Sequence, residues 1–295
     1  MESSHFLHGV SLGARPTRSL ARRARAQVML ASSLLCGLVA AQASAQSVIA
    51  ASPDVTIALG GSDLVTSDEA VAVDNQLGVV VLEKHGAIPE SADVTAHAVA
   101  ANGDRLFALD TTADLGGLVL TRGDIARFDG ASHTLELDAS AAGVPGSAIT
   151  DAVSIAPGGL LLSFDTTVDL GTVVAADEDL VRWDGASFSI ALDGSAVGID
   201  ETLDVDAGQD LGGGQFLISL DTTGTVGGIT AADEDILRFD GSAWSLEFDA
   251  SAADADWAAA DLDAMMVPEP GFALSIGLGL LSIRAFVRRR LHEAA

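Results

Sequence analysis

The acidic triplets Asp177-Glu178-Asp179 and Asp233-Glu234-Asp235 stand 56 residues apart, each just ahead of an apolar run. Clustered carboxylates on a loop are hard oxygen donors of the kind that hold Ca²⁺. These six residues are the sequence's candidate metal ligands, and calcium is the only cofactor they suggest. The plainer reading is a solvated turn, because the calcium-loop pattern Asp-x-Asp-x-Asp-Gly is absent. Asp204-Val205-Asp206-Ala207-Gly208 is only a fragment of it. Arg122-Gly123-Asp124 fills the same place one repeat earlier and spells an adhesion tripeptide. Its Asp124 aligns with Asp179 and Asp235, so it reads as a worn triplet.

No catalytic constellation accompanies them. Residues 46–266 carry His85, His97 and His133 at no metal-ligand spacing, and no Cys. Nucleophile elbows, zinc-protease helices and phosphate loops are missing from the sequence. The reading is therefore non-enzymatic. A glycoside hydrolase or lyase is the alternative, since that chemistry needs only two carboxylates at a set separation. A small-ligand module using a central channel is the third. Phe128, Trp183 and Phe239 share one repeat column and read as core; His133, Phe188 and Trp244 share another. Trp257 belongs to no column, which predicts an exposed ring suited to a sugar face.

Charge divides the chain into three. Its 295 residues hold 42 acids and 15 bases, a net −27. Residues 1–45 carry five bases and one acid, and residues 267–295 four bases and two acids. The middle, 46–266, is left at −33, so nucleic acid would be repelled. With 48% apolar residues the chain is too apolar for an acidic disordered one.

Residues 1–45 read as a signal peptide. An Arg-rich stretch ends at Arg25, an apolar run follows from Val28 to Ala41, and Ala43-Ser44-Ala45 offers signal peptidase a small-x-small site. The mature chain is predicted to start near Gln46. Cys36, the one thiol, falls within the removed run, and Leu35 before it disfavours a lipid anchor.

Residues 267–295 read Pro268-Glu269-Pro270, an apolar stretch from Phe272 to Ile283, Arg284, then Arg288-Arg289-Arg290. Physically this is a short membrane helix with a basic cytoplasmic stop. The arrangement resembles the PEP-CTERM sorting signal of Gram-negative bacteria, which the membrane protease exosortase recognises. The resemblance implies transient membrane association, processing near the Pro-Glu-Pro and delivery to the cell surface. An exopolysaccharide or biofilm matrix is the other destination it implies, with exopolysaccharide then a partner. It describes sorting and leaves the activity of residues 46–266 open.

Those residues are a repeat. Asp-Thr-Thr recurs at Asp110, Asp165 and Asp221, and Asp-Gly at Asp129, Asp184 and Asp240, both stepping 55 and then 56. Asp138, Asp193 and Asp249 keep the same step, each closing an alternating run. A worn copy precedes them, around Val55-Thr56-Ile57, Val73-Asp74 and Glu83. Each copy reads as four short strands broken by Gly and Asp turns, with no helical period. The third copy predicts strands at 151–155, 160–167, 179–184 and 187–193. The expected fold is all-β, four repeats of about 55 residues forming a small four-bladed β-propeller. A solenoid or stacked sandwich are the arrangements it competes with. Residues 261–266 resemble a first strand and would complete the first copy, which supplies three. The repeats also look like Asp-rich, propeller-like repeats of large bacterial surface proteins.

Overall fold

A computed structural model describes residues 49–59, 63–65, 70–74, 79–84, 88–89 and 91–266. The predicted signal peptide and sorting segment lie outside the described residues. So do Ala43, Ala45, Pro268, Glu269, Pro270, Arg288, Arg289 and Arg290.

The chain is all-β, in antiparallel sheets with a few single helical turns. The first copy gives β1 (Ile49–Pro53), β2 (Ile57–Leu59), β3 (Asp63–Val65), β4 (Ala70–Asp74) and β5 (Val79–Lys84). The second gives β6 (Ala96–Val99), β7 (Arg105–Ala108), β8 (Ala113–Asp114), β9 (Val119–Leu120), β10 (Ile125–Phe128) and β11 (His133–Leu137). The third gives β12 (Thr150–Ala156), β13 (Gly159–Phe164), β14 (Val168–Asp169), β15 (Val174–Ala175), β16 (Leu180–Trp183) and β17 (Phe188–Leu192). The fourth gives β18 (Val205–Gly212), β19 (Gln215–Leu220), β20 (Gly224–Val226), β21 (Ile229–Ala231), β22 (Ile236–Phe239) and β23 (Trp244–Phe248), and β24 (Leu262–Met266) follows.

Three four-stranded sheets are built within single copies, β6-β7-β10-β11, β12-β13-β16-β17 and β18-β19-β22-β23. Between the second and third strands of each, a small hairpin leaves the sheet: β8-β9, β14-β15 and β20-β21. The remaining sheet runs β24-β1-β4-β5, so the last described strand supplies the first strand of the first copy. Ala50 faces Met266 and Ala51 faces Met265 in that pairing. This is the completion expected of residues 261–266.

The first strands of the sheets pack side by side: β6 on β12, β12 on β18, β18 on β24, and β24 on β6. Each junction carries a bond between sheets. Thr95 Oγ1 donates to the Thr150 carbonyl at 2.7 Å, and the Asp210 N–H to Ser154 Oγ at 3.1 Å. Ser219 Oγ donates to the Leu262 carbonyl at 3.1 Å, and the Val99 N–H reaches Met266 Sδ at 3.1 Å. Apolar clusters fill the gaps between sheets, for example Leu106, Ile125, Val153 and Leu162 between the second and third copies.

The recurrent Asp residues are structural, each in its own way. Asp184 Oδ1 accepts the N–H groups of Ala186 and Ser187, while Gly185 takes φ +94°. Asp129 and Asp240 close their hairpins in the same manner. Carboxylates tied to turn amides this way favour their charged form, and these three lie below the usual range. Asp138 and Asp249 end a strand and cap a single helical turn, accepting from Ala141 and Ala252. Such turns span four residues, too short to register as a helical period.

The aromatic columns form cross-strand pairs. Phe128 faces His133, Trp183 faces Phe188, and Phe239 faces Trp244, with ring centroids 4.7, 4.6 and 5.0 Å apart. Trp257 corrects an expectation: it is 1% exposed. Residues 255–259 form a 3₁₀ turn capped by Asp254, which carries the indole into the core with Ala51, Leu217, Leu262 and Met265. It is therefore no surface platform for a sugar.

Candidate functional site

The acidic triplets occupy equivalent turns, but their carboxylates serve the backbone in different ways. Asp179 Oδ1 accepts from the Gly194 N–H at 2.9 Å and Oδ2 from the Ala176 N–H at 3.0 Å. Asp235 repeats this with Ala250 at 3.1 Å and Ala232 at 3.0 Å. Asp124 does the same with Ala139 and Thr121, so the adhesion tripeptide's carboxylate is buried and committed. In the second, third and fourth copies one carboxylate thus clamps the start of the third strand to the segment after the fourth. Glu178 and Glu234, at 4% exposure each, are pushed up in pKa, chiefly by burial. Asp177 and Asp233 stand half-buried beside them. Among the described residues, neither triplet brings three carboxylates to a common point.

Asp179→Ala would strip two N–H groups of their acceptor at once, Gly194 buried and Ala176 partly so. An orphaned buried donor costs about 1–3 kcal/mol and a part-buried one less, so a loss of roughly 2–4 kcal/mol in unfolding free energy is expected. Urea unfolding checks it, with Asp177→Ala as a neighbour expected to cost under about 1 kcal/mol.

A different set of carboxylates does converge, at the N-terminal ends of the first strands. The second residue of β12, β18 and β24 is Asp151, Asp206 and Asp263, and Thr95 precedes β6 in the same register. That register follows from the pairing, since Ala96, Ala152, Ala207 and Ala264 face Ala108, Ser163, Ser219 and Ser52. Two residues earlier stand Asp93, Ile149, Asp204 and Asp261. Each is bonded to the Asp that ends the neighbouring second strand. The Asp261 N–H donates to Asp54 Oδ1 at 2.7 Å and the Asp204 N–H to Asp221 Oδ1 at 3.1 Å. Asp110 and Asp165 serve Asp93 and Ile149 identically, both at 2.7 Å. Because the first strands lie side by side, these columns gather carboxylates from all four sheets at one end of those strands.

Oxygens of Asp206, Asp261 and Asp263 lie within 4.8 Å of one another. Asp151 is 5% exposed, and its Oδ2 is buried with no hydrogen-bond partner; Asp204 Oδ1 is likewise unpartnered. The charges acting most strongly on these groups are other aspartates. Burial first, then Asp221 and Asp177, pushes Asp204 up to about 8. Burial with Asp93 and Asp261 pushes Asp263 to about 8, and burial with Asp233 and Asp54 pushes Asp261 to about 7. Asp151 and Asp206 are also displaced upward, by burial first and then by other aspartates: Asp204 and Asp165 acting on Asp151, Asp261 and Asp263 on Asp206. Three of the body's five arginines pair elsewhere: Arg127 with Glu136 and Asp104, Arg182 with Asp210, and Arg238 with Glu247. Chemically, this set can share protons between carboxyls or surround a hard cation.

None of these residues was singled out from the sequence except as the fragment Asp204-x-Asp206. The available signal was an Asp-Ala step at Asp151-Ala152, Asp206-Ala207 and Asp263-Ala264, opening each first strand where an apolar residue belongs.

No family model and no curated protein matches the chain. Among solved structures it is similar to a protein of unknown function from Dyadobacter fermentans DSM 18053. The identity is 14%, over 68% of this chain and 70% of that one, with a TM-score of 0.32. A protein of unknown function from Bacteroides caccae is 9% identical over 68% of this chain and 56% of that one, with a TM-score of 0.26. YCF48 bound to D1 peptide is 8% identical over 69% and 68%, with a TM-score of 0.25. At these scores the likenesses carry no argument.

Proposed function

We propose that the chain is an exported four-bladed propeller, sorted to the cell surface or extracellular matrix, where it has a structural or adhesive role without catalysis. The observation that carries the propeller is the pairing of β24 with β1, which gives every copy a full four-stranded sheet. It removes the open edges that the first and last copies would otherwise present to other chains. The same pairing supports the sorting route. β1 opens at Ile49, three residues beyond the predicted signal cleavage, and β24 ends at Met266, two residues before Pro268. Both processing sites thus fall outside the described strands, so cutting at both ends leaves the described sheets whole.

Expression in a Gram-negative host that carries an exosortase tests this. The expected product lies outside the inner membrane, shortened at both ends by mass spectrometry. Replacing Pro268-Glu269-Pro270 with alanines is expected to leave the C-terminal segment attached and the protein in the membrane fraction. An intact chain in the cytoplasm, indifferent to that replacement, would count decisively against the route.

A further inference from the structure

We propose that the axial aspartates Asp151, Asp206, Asp261 and Asp263 form a site for a hard divalent cation, calcium in the first instance. The inference deepens the propeller reading by giving its inner strands a ligand, and it is independent of where the protein is sorted.

Three observations carry it. First, the geometry suits one ion. Three carboxylates with oxygens mutually within 4.8 Å match donors on a common cation, since Ca–O distances of about 2.3–2.6 Å set ligands roughly 3–5 Å apart. Second, Asp151 is nine-tenths buried and its Oδ2 has no hydrogen-bond partner. It stands in the same register as Asp206 and Asp263, and its charge is felt by Asp206. An enclosed carboxylate oxygen without a donor is costly and calls for a counter-charge. Third, three of the body's arginines are committed elsewhere. Arg127 and Arg238 pair with acids of their own sheets, and Arg182 with Asp210 of the next sheet.

The donor set narrows the ligand. All-oxygen carboxylate sites select calcium, magnesium or manganese over softer metals, which prefer nitrogen or sulfur. Calcium tolerates irregular geometry and fills its shell with water, as half-buried Asp206, Asp261 and Asp263 would allow. The position also suggests what binding does. Asp206 comes from the fourth copy's sheet and Asp261 and Asp263 from the β24 end of the first, so one ion would tie two sheets together, with Asp151 of the third copy in the same register. The triplets at 177–179 and 233–235 lack that convergence.

Calorimetric titration of the purified full chain with CaCl₂, after chelator treatment, tests the site, with MgCl₂ and NaCl at equal ionic strength as controls. One saturable calcium per chain is expected, with native mass spectrometry giving the same count. Asp206→Asn and Asp263→Asn should each weaken binding at least about tenfold, because ligand charge sets affinity in such sites. Asp129→Asn and Asp184→Asn, at exposed hairpin turns outside the cluster, should leave it unchanged. Thermal unfolding supplies a second readout that a purely structural role would not move. In EDTA the Asp206→Asn chain should melt at or above the wild type, and in calcium below it. Absence of saturable binding by the wild type would overturn the proposal, pointing to carboxyls that share protons. So would calcium binding that Asp206→Asn and Asp263→Asn leave intact.

Discussion

A chain ending at Ala260 is expected to lose cooperative unfolding altogether, whereas one ending at Met266 keeps it. The difference is β24, six residues counting Asp261, all of it spent on long-range contacts. Leu262, Met265 and Met266 are at most 5% exposed. Burying three such side chains is worth about 1.5–3 kcal/mol each, roughly 5–9 kcal/mol together. That is comparable to the whole stability of an ordinary domain, about 5–15 kcal/mol. Truncation also leaves the Asp54 N–H without the Asp261 carbonyl, Ser219 without the Leu262 carbonyl, and β1 as a bare edge. Near-UV circular dichroism and a thermal scan of the two truncations would check this. A melt for the shorter chain within a few degrees of the longer one would mean that β24 is an ornament on a fold complete without it.

That strand was legible in the sequence because it repeats a pattern seen three times before. Asp-Thr-Thr, Asp-Gly and the closing aspartates fixed the step, and in the third copy the expected 160–167 and 187–193 overlie β13 and β17 closely. Periodicity serves well where a residue's role recurs at constant spacing. It misses what lies between. The hairpins β8-β9 and β14-β15 have strands of two residues, too short to alternate. The helical turns at 139–142 and 250–253 are likewise too short to show a period.

The site was obscured for a related reason. Thr95, Asp151, Asp206 and Asp263 step by 56, 55 and 57. Loop lengths vary between fourth and first strands, so a comparison at fixed offset smears the column. The first copy shows the same slip: Asp54, one residue before the Val55 found by counting back 55, is the counterpart of Asp110, Asp165 and Asp221, accepting from Asp261 as they accept from Asp93, Ile149 and Asp204. The triplets drew attention because their acids are adjacent in sequence. The axial acids are adjacent only in space, brought together by sheets whose first strands pack side by side. Trp257 was misjudged by the same rule, since membership of a column stood in for burial, and a residue outside every column still found a core.

The cation-free protein should become less stable as pH rises from about 5 to 8. The sign follows from the direction of the shifts. Asp261 near 7, Asp204 and Asp263 near 8, and Asp151 and Asp206 displaced the same way all titrate above an unfolded aspartate, at about 3.9. Between those values the folded chain holds more protons than the unfolded one, so raising the pH favours unfolding. The contribution is full below the unfolded value and is lost through the folded ones. Turn aspartates such as Asp129, Asp184 and Asp240, held below the usual range, act oppositely: their contribution is lost as pH falls through their folded values. The two trends place the optimum in mild acid. One net proton of difference amounts to about 1.4 kcal/mol per pH unit, so three units should lower the midpoint by on the order of 10 °C. Thermal scans in EDTA from pH 4 to 9 measure it directly. Asp204→Asn should flatten the fall, since an amide at that position needs no proton to lose its charge. A midpoint that instead rises toward pH 8 in EDTA would show that the axial carboxylates ionise freely. The enclosure of Asp151 by its neighbours would then have to be much wetter than the packing of the inner strands allows.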